Sequence, residues 1–144
     1  MRLWHYKLLP VLPRQQLLGQ WRECCCIVKK LSTNGTPNHL LVNKILDFPP
    51  NHFYRYCQLV AEEMIKRGYK VGNSYSNLSA SFDKFSDCYW MSIEGELFSE
   101  WHNKRYLRQC YYNLQEKYDC GGISEAEWKT IDELVRSKYG QYIY

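Results

Sequence analysis

Glu23 is the only side-chain carboxylate among residues 1 to 46. Residues 1 to 46 carry seven lysines and arginines (Arg2, Lys7, Arg14, Arg22, Lys29, Lys30, Lys44) against this one acid, a net of +6, whereas residues 47 to 144 carry twelve basic and fourteen acidic residues, a net of −2. An acid in such a field is held ionised, which suits a general base or an electrostatic partner for a developing cation. A surface glutamate balanced by Arg22 satisfies the same composition. The concentration of positive charge points to a polyanionic partner bound through phosphate neutralisation and counterion release.

The other residue types that carry chemistry are less organised. Cys24, Cys25 and Cys26 are consecutive; on a helix they diverge by about 100° each and cannot converge on one ion, and no C-x-x-C pair accompanies them. The four histidines, His5, His39, His52 and His102, are scattered, and His39 stands out beside a turn-rich loop. No Ser-His-Asp or Cys-His signature, phosphate-binding glycine loop or spaced carboxylate pair is present. Neither a metal nor an organic cofactor is implied. Glu62 and Glu63 precede Lys66 and Arg67 at the spacing of i,i+4 ion pairs. Lys29 and Lys30 suit either phosphate binding or the dipole at the end of a helix. Seven cysteines, an odd number, with no signal peptide ahead of them point to a reducing cytosol. Pro10 and Pro13 interrupt the only N-terminal apolar stretch, so no membrane span is expected.

These residues need elements to hold them, and the periodicity is helical. A first helix is expected from about Pro13 to Leu31, with Leu17, Trp21, Cys24, Val28 and Leu31 toward the core and Gln16, Gly19, Gln20 and Glu23 on another face. Gly19 weakens a helix interior by about 1 kcal/mol relative to Ala, which suggests a close approach to the backbone there. A turn-rich loop over 32 to 39 leads into "LLVNKILDF", read as extended or irregular. A second helix spans about 51 to 67, buries Phe53, Cys57, Val60 and Met64, and stops at Gly68. Residues 72 to 98 lack useful periodicity and read as a long irregular segment. A third helix is expected over 100 to 118, burying Leu107, Cys110 or Tyr111, Leu114 and Tyr118. A fourth runs from Ser124, whose capping box includes Glu127, to Gly140. The expected fold is all-α: a compact single domain over residues 1–144, with three to four helices and long irregular connections.

Three blocks resemble the pyrimidine dimer DNA glycosylase family, which includes a phage endonuclease V and bacterial relatives. "MRLW…LLPVLPRQQLLGQWRE" is similar to the family's start and first helix, "NHLLVNKILDF…LVAEEMIKRGYKV" to its histidine-containing run and second helix, and "HNKRYLRQCYYNLQEKY" to its third helix. The resemblance implies a small helical enzyme that binds damaged double-stranded DNA, displaces a nucleotide from the stack, and attacks the sugar with its own N-terminal α-amine, here that of Met1.

By that resemblance Glu23 is the catalytic carboxylate. Arg22 contacts DNA, Gln15 and Gln16 face the lesion, Arg2 follows the nucleophile, Lys117 is a DNA-facing lysine of the third helix, and His39 is the family's loop histidine. Arg14, Lys29 and Lys30 complete the expected phosphate contacts. The chain departs from the family pattern where Cys26 and Asn113 replace arginines. Two readings follow: a glycosylase with abasic-site lyase activity, or a non-catalytic member of the same fold that binds nucleic acid or sequesters a small nucleotide.

Overall fold

A computed structural model describes residues 2–33 and 40–143; Met1 and His39 lie outside the described residues. The described elements are helical throughout. A 3-10 turn at Tyr6–Val11 precedes α1 (Arg14–Ser32), and the short α2 (Leu40–Asn43) runs into a second 3-10 turn at Lys44–Asp47. Four longer helices follow: α3 (Pro50–Lys66), α4 (Gly72–Phe85), α5 (Lys104–Asp119) and α6 (Glu125–Ile143).

Local chemistry sets most boundaries. Pro13 and Pro49 stand immediately before α1 and α3. Gly68, at φ 88°, ends α3 as a left-handed cap, with Tyr69 N–H donating to the Met64 carbonyl at 2.9 Å and Gly68 N–H to that of Ile65 at 2.9 Å. The Asn103 side chain accepts the Tyr106 N–H at 3.0 Å and starts α5. Ser124 and Glu127 form the expected reciprocal box at α6, each bond 3.2 Å. The second oxygen of Glu127 reaches further and accepts the Arg14 N–H at 3.2 Å, so the start of α6 also caps the start of α1.

Helix directions follow from cross-contacts. Gln20 meets Tyr56, and Arg67 donates to the Leu12 carbonyl at 2.7 Å, so α1 and α3 are antiparallel. Trp21 Nε1 donates to Ser74 Oγ at 2.9 Å, and the later turns of both helices line one groove, so α1 and α4 run in the same direction. Tyr111 bonds Asp132 at 2.6 Å while Tyr118 stacks on Trp128, which makes α5 and α6 antiparallel. One cluster of buried apolar side chains draws on every one of these five long helices. Leu17, Trp21, Cys24 and Val28 of α1 and Phe53, Cys57, Val60 and Met64 of α3 are buried in it as their spacing requires.

Several expectations are corrected. Residues 72 to 85 form α4 rather than an irregular segment. Its serines and asparagines mask the helical period, and only Leu78 and Phe82 are buried, with Tyr75 stacked 6.2 Å from Trp21. The long helices therefore number five, and a short helix and a 3-10 turn replace the extended reading of "LLVNKILDF". The third expected helix begins at Lys104 instead of residue 100, because Phe98 adopts φ 49° and the following turn folds back on its carbonyl. The last helix kinks at Tyr139 and continues past Gly140 to Ile143. Glu63 pairs with Arg67 at 2.9 Å, but Glu62 reaches Arg55 at 3.1 Å and not Lys66. Gln20, expected away from the core, is 2% exposed.

A candidate active-site cleft between α1 and α5

The first half of α1 and the middle of α5 form the walls of an open cleft of about 760 Å³. Gln15, Gln16, Gly19, Arg22 and Glu23 come from α1, Asn113 and Lys117 from α5, and Arg2 and Trp4 from the segment before α1. Within the triplets 15/19/22 and 16/20/23 successive residues are three or four apart, so they stack on one helix face. Asn113 and Lys117 repeat that spacing on the other wall.

Glu23 is the one acid among the lining residues, and Arg2, Arg22 and Lys117 are the cations. No ion pair within 4.0 Å involves Glu23 among the described residues, so Arg22 does not balance it directly. The Glu23 residue is half-buried. The Arg2 guanidinium lies over the Trp4 ring, 5.5 Å from its centroid. It also opposes the effect of burial on the Tyr106 hydroxyl and Cys110 thiol, both of which burial pushes up. Arg2 thus stands over an aromatic face, within electrostatic reach of Tyr106 and Cys110.

The remaining lining is neutral, and beside Trp4, Leu18 and Gly19 it is polar. Gln15, Gln16, Gln20 and Asn113 supply four carboxamides. The Gln16 Oε1 and Gln20 Nε2 atoms are buried without a hydrogen-bond partner among the described residues. A buried amide end without a partner costs free energy unless something else satisfies it. A Cβ added at Gly19 would meet only Arg22 Nη2, at 3.9 Å, so no protein atom demands a glycine there. Its bare backbone instead widens the cleft wall.

A family model described as pyrimidine dimer DNA glycosylase matches residues 1–77, which include the 3-10 turn, α1, α3 and the α1 wall of the cleft. The chain belongs to this family. It is accordingly a DNA glycosylase homologue of the DNA-repair type, with DNA as the family's substrate. No curated protein and no solved structure matches the chain. Asn113 and Lys117, which close the cleft from α5, lie outside the family match.

The cleft brings together Arg2, Gln15, Gln16, Arg22, Glu23 and Lys117, six of the residues singled out in the sequence. Arg14 is exposed and stacks over Tyr69, 5.7 Å from its centroid, outside the cleft lining. Lys29 lines a separate groove between α1 and α4, and Lys30 is exposed near the end of α1. Sequence reasoning missed Trp4 and Leu18 as lining residues and gave Gln20 no role. The i+4 relation of Gln20 to Gln16 was the available signal. Cys24 is buried, Cys25 half-buried and Cys26 exposed, so the triplet radiates from its helix. Among the described residues no group of three His, Cys, Asp or Glu side chains is arranged to hold a metal ion.

His5 and His102 are packed in the core, their rings 5.0 Å apart. Burial lowers His5 to about 4 and takes His102 well below the ordinary histidine range. Both are neutral near pH 7, with Nδ1 accepting Lys7 N–H in one case and Tyr6 N–H in the other, each at 3.1 Å. They are structural acceptors at the foot of the N-terminal segment.

Proposed function

We propose that this cleft breaks the glycosidic bond of a damaged pyrimidine, within a dimer or a related lesion of double-stranded DNA, and then cleaves the resulting abasic site. The observation that carries the reading is the single unpaired carboxylate, Glu23, among Arg2, Arg22 and Lys117 in a cleft whose wall includes the second residue of the chain. The nucleophile is the Met1 α-amine. An α-amine has a reference pKa near 8, about two units below lysine, so a useful neutral fraction exists at neutral pH.

In this scheme the amine nitrogen bonds to C1′ of the sugar as the bond from C1′ to the base nitrogen breaks, and the base leaves with a proton. Loss of the amine proton and opening of the sugar ring give an imine. Removal of a C2′ proton then sends its electron pair into a C2′–C3′ double bond and expels the 3′ phosphate. Hydrolysis of the imine regenerates the amine. Glu23 accepts and returns the protons and offsets the positive charge on the sugar. The cations bind flanking phosphates, and displacement of a nucleotide from the stack is easiest where damage has already weakened stacking. No step calls on a metal or organic cofactor.

The replacement of two family arginines by Cys26 and Asn113 supports a second reading, in which the cleft holds nucleic acid or a small nucleotide without chemistry. Cleavage and binding assays on dimer-containing duplex, undamaged duplex and free nucleotides, each across a salt series, separate the two. The enzyme reading expects strand cleavage at the lesion with a steep salt dependence. Tight nucleotide binding with no cleavage would replace it with the binder.

A further inference from the structure

Residues 3 to 5 precede the 3-10 turn outside any helix or strand, and all three are buried. Four side chains, one each from α1 and α3 and two from residues 102 to 106, pair with backbone groups of Leu3, Trp4 and Tyr6. Tyr106 hydroxyl donates to the Leu3 carbonyl at 2.6 Å. Trp4 N–H donates to Gln20 Oε1 at 2.8 Å, and the Tyr56 hydroxyl donates to the Trp4 carbonyl at 2.6 Å. Tyr6 N–H donates to His102 Nδ1 at 3.1 Å. Backbone groups that cannot pair locally must find such partners when buried.

Trp4 is gripped at both ends. Its N–H is a donor, so the Gln20 amide must present oxygen to it; the reverse orientation would oppose two donors. The Tyr56 hydroxyl lies 3.0 Å from that same Gln20 oxygen and closes a triangle through Trp4, Gln20 and Tyr56. Tyr56 is fully buried and Gln20 is 2% exposed, so neither grip is shared with solvent. Gln20 also lines the cleft and sits one turn before Glu23 on α1. The helix that carries the carboxylate therefore carries the anchor for the start of the chain.

Building on the reaction proposed above, we infer that Gln20 and Tyr56 are positioning residues that fix the N-terminal amine relative to Glu23 by clamping Trp4. A nucleophile displaced by about 1 Å from its reacting geometry loses up to about a hundredfold in rate. Four peptide units at most separate the clamp from the amine, so loosening it frees the nucleophile while Arg22 and Lys117 keep their places on α1 and α5.

The test uses the full chain with an unextended N-terminus and three variants. Gln20→Met keeps length and removes the amide, Tyr56→Phe removes only the hydroxyl, and Gln20→Glu keeps an oxygen facing Trp4 N–H while adding negative charge to the cleft. Borohydride trapping on an abasic duplex is followed against pH in single turnovers, beside duplex Kd, melting temperature and hydrogen exchange at Trp4 N–H. The first two variants are expected to trap about tenfold or more slowly, below their melting transitions, and Tyr56→Phe, whose side chain does not line the cleft, to keep duplex Kd within about twofold of the parent. Gln20→Glu is expected to retain Trp4 protection and move the trapping midpoint to higher pH, because a nearby carboxylate favours the charged amine. Parent-like trapping in Gln20→Met and Tyr56→Phe at every pH would overturn the inference, as would rapid Trp4 exchange in the parent. A parent that protects Trp4 but never traps defeats the imine reading while leaving the clamp itself established.

Discussion

The cleft between α1 and α5 and the groove between α1 and α4 share a helix and both carry positive charge, yet their surroundings differ. In the cleft, Arg2, Arg22 and Lys117 line the wall with one acid, that acid and two buried amide ends have no partner among the described residues, and a glycine leaves backbone open. The groove, of about 470 Å³, carries Lys29 and Lys84 near the C-terminal ends of two parallel helices. Those ends bear partial negative charge, which the two lysines offset. Three of its four hydroxyls are already committed: Ser32 and Thr33 donate to the Lys29 carbonyl at 2.7 and 3.1 Å, and Ser74 donates to the Val71 carbonyl. Burial pushes the Cys25 thiol up to about 12, so it supplies no thiolate. Positive charge alone therefore does not mark a site; unmet polar valence beside it does.

The contrast is broken most severely by changing the acid. Glu23→Gln is expected to reduce lesion cleavage by at least about a hundredfold, the scale of a positioned acid–base group, with duplex affinity nearly unchanged. Cleavage at the parent rate would remove Glu23 from the chemistry. Charge reversal comes next: Arg22→Glu or Lys117→Glu should weaken duplex binding about tenfold and flatten the logarithmic salt slope by about one unit or more, whereas Lys29→Glu should do distinctly less. Equal losses at all three positions, measured by titration across a salt series, would show that DNA covers both surfaces.

Much of this organisation was readable in advance, for reasons specific to each residue. The apolar stripes of α1 and α3, the Ser124–Glu127 box and the Gly68 stop are local patterns, and local patterns survive folding. Glu23 was conspicuous because it interrupts a run of cations. The amphipathic period of α4 was obscured by its serines and asparagines, and its packing depends on Trp21, 53 residues away from Ser74. The Trp4 clamp was invisible because its partners lie 16 and 52 residues along the chain, with tyrosine and glutamine side chains that fit many roles. Gly19 was expected to admit a close neighbour; it faces open cleft instead.

Two smaller effects sharpen the comparison. The low His5 and His102 values mean that the unfolded chain binds protons the folded chain does not take up. Stability should be complete above pH 6.5 and fall on acidification toward pH 4, by up to about 1.4 kcal/mol per pH unit for each histidine fully protonated only in the unfolded state. Urea midpoints across that range check this, and a flat profile would contradict the buried neutral pair. Gly19→Ala should raise the melting temperature slightly, since helix propensity improves by about 1 kcal/mol and no protein atom obstructs the methyl. The same methyl should weaken lesion processing by narrowing the cleft, a combination that a purely structural glycine would not produce.

The central claim is that the α-amine of Met1 acts in the cleft with Glu23. Borohydride reduction with an abasic duplex, followed by peptide mapping of the covalent adduct, tests it most directly. The adduct is expected on the Met1 nitrogen, and to form far more slowly in Glu23→Gln. An adduct on Lys117, the lysine that lines the same cleft, or no adduct at all would contradict it.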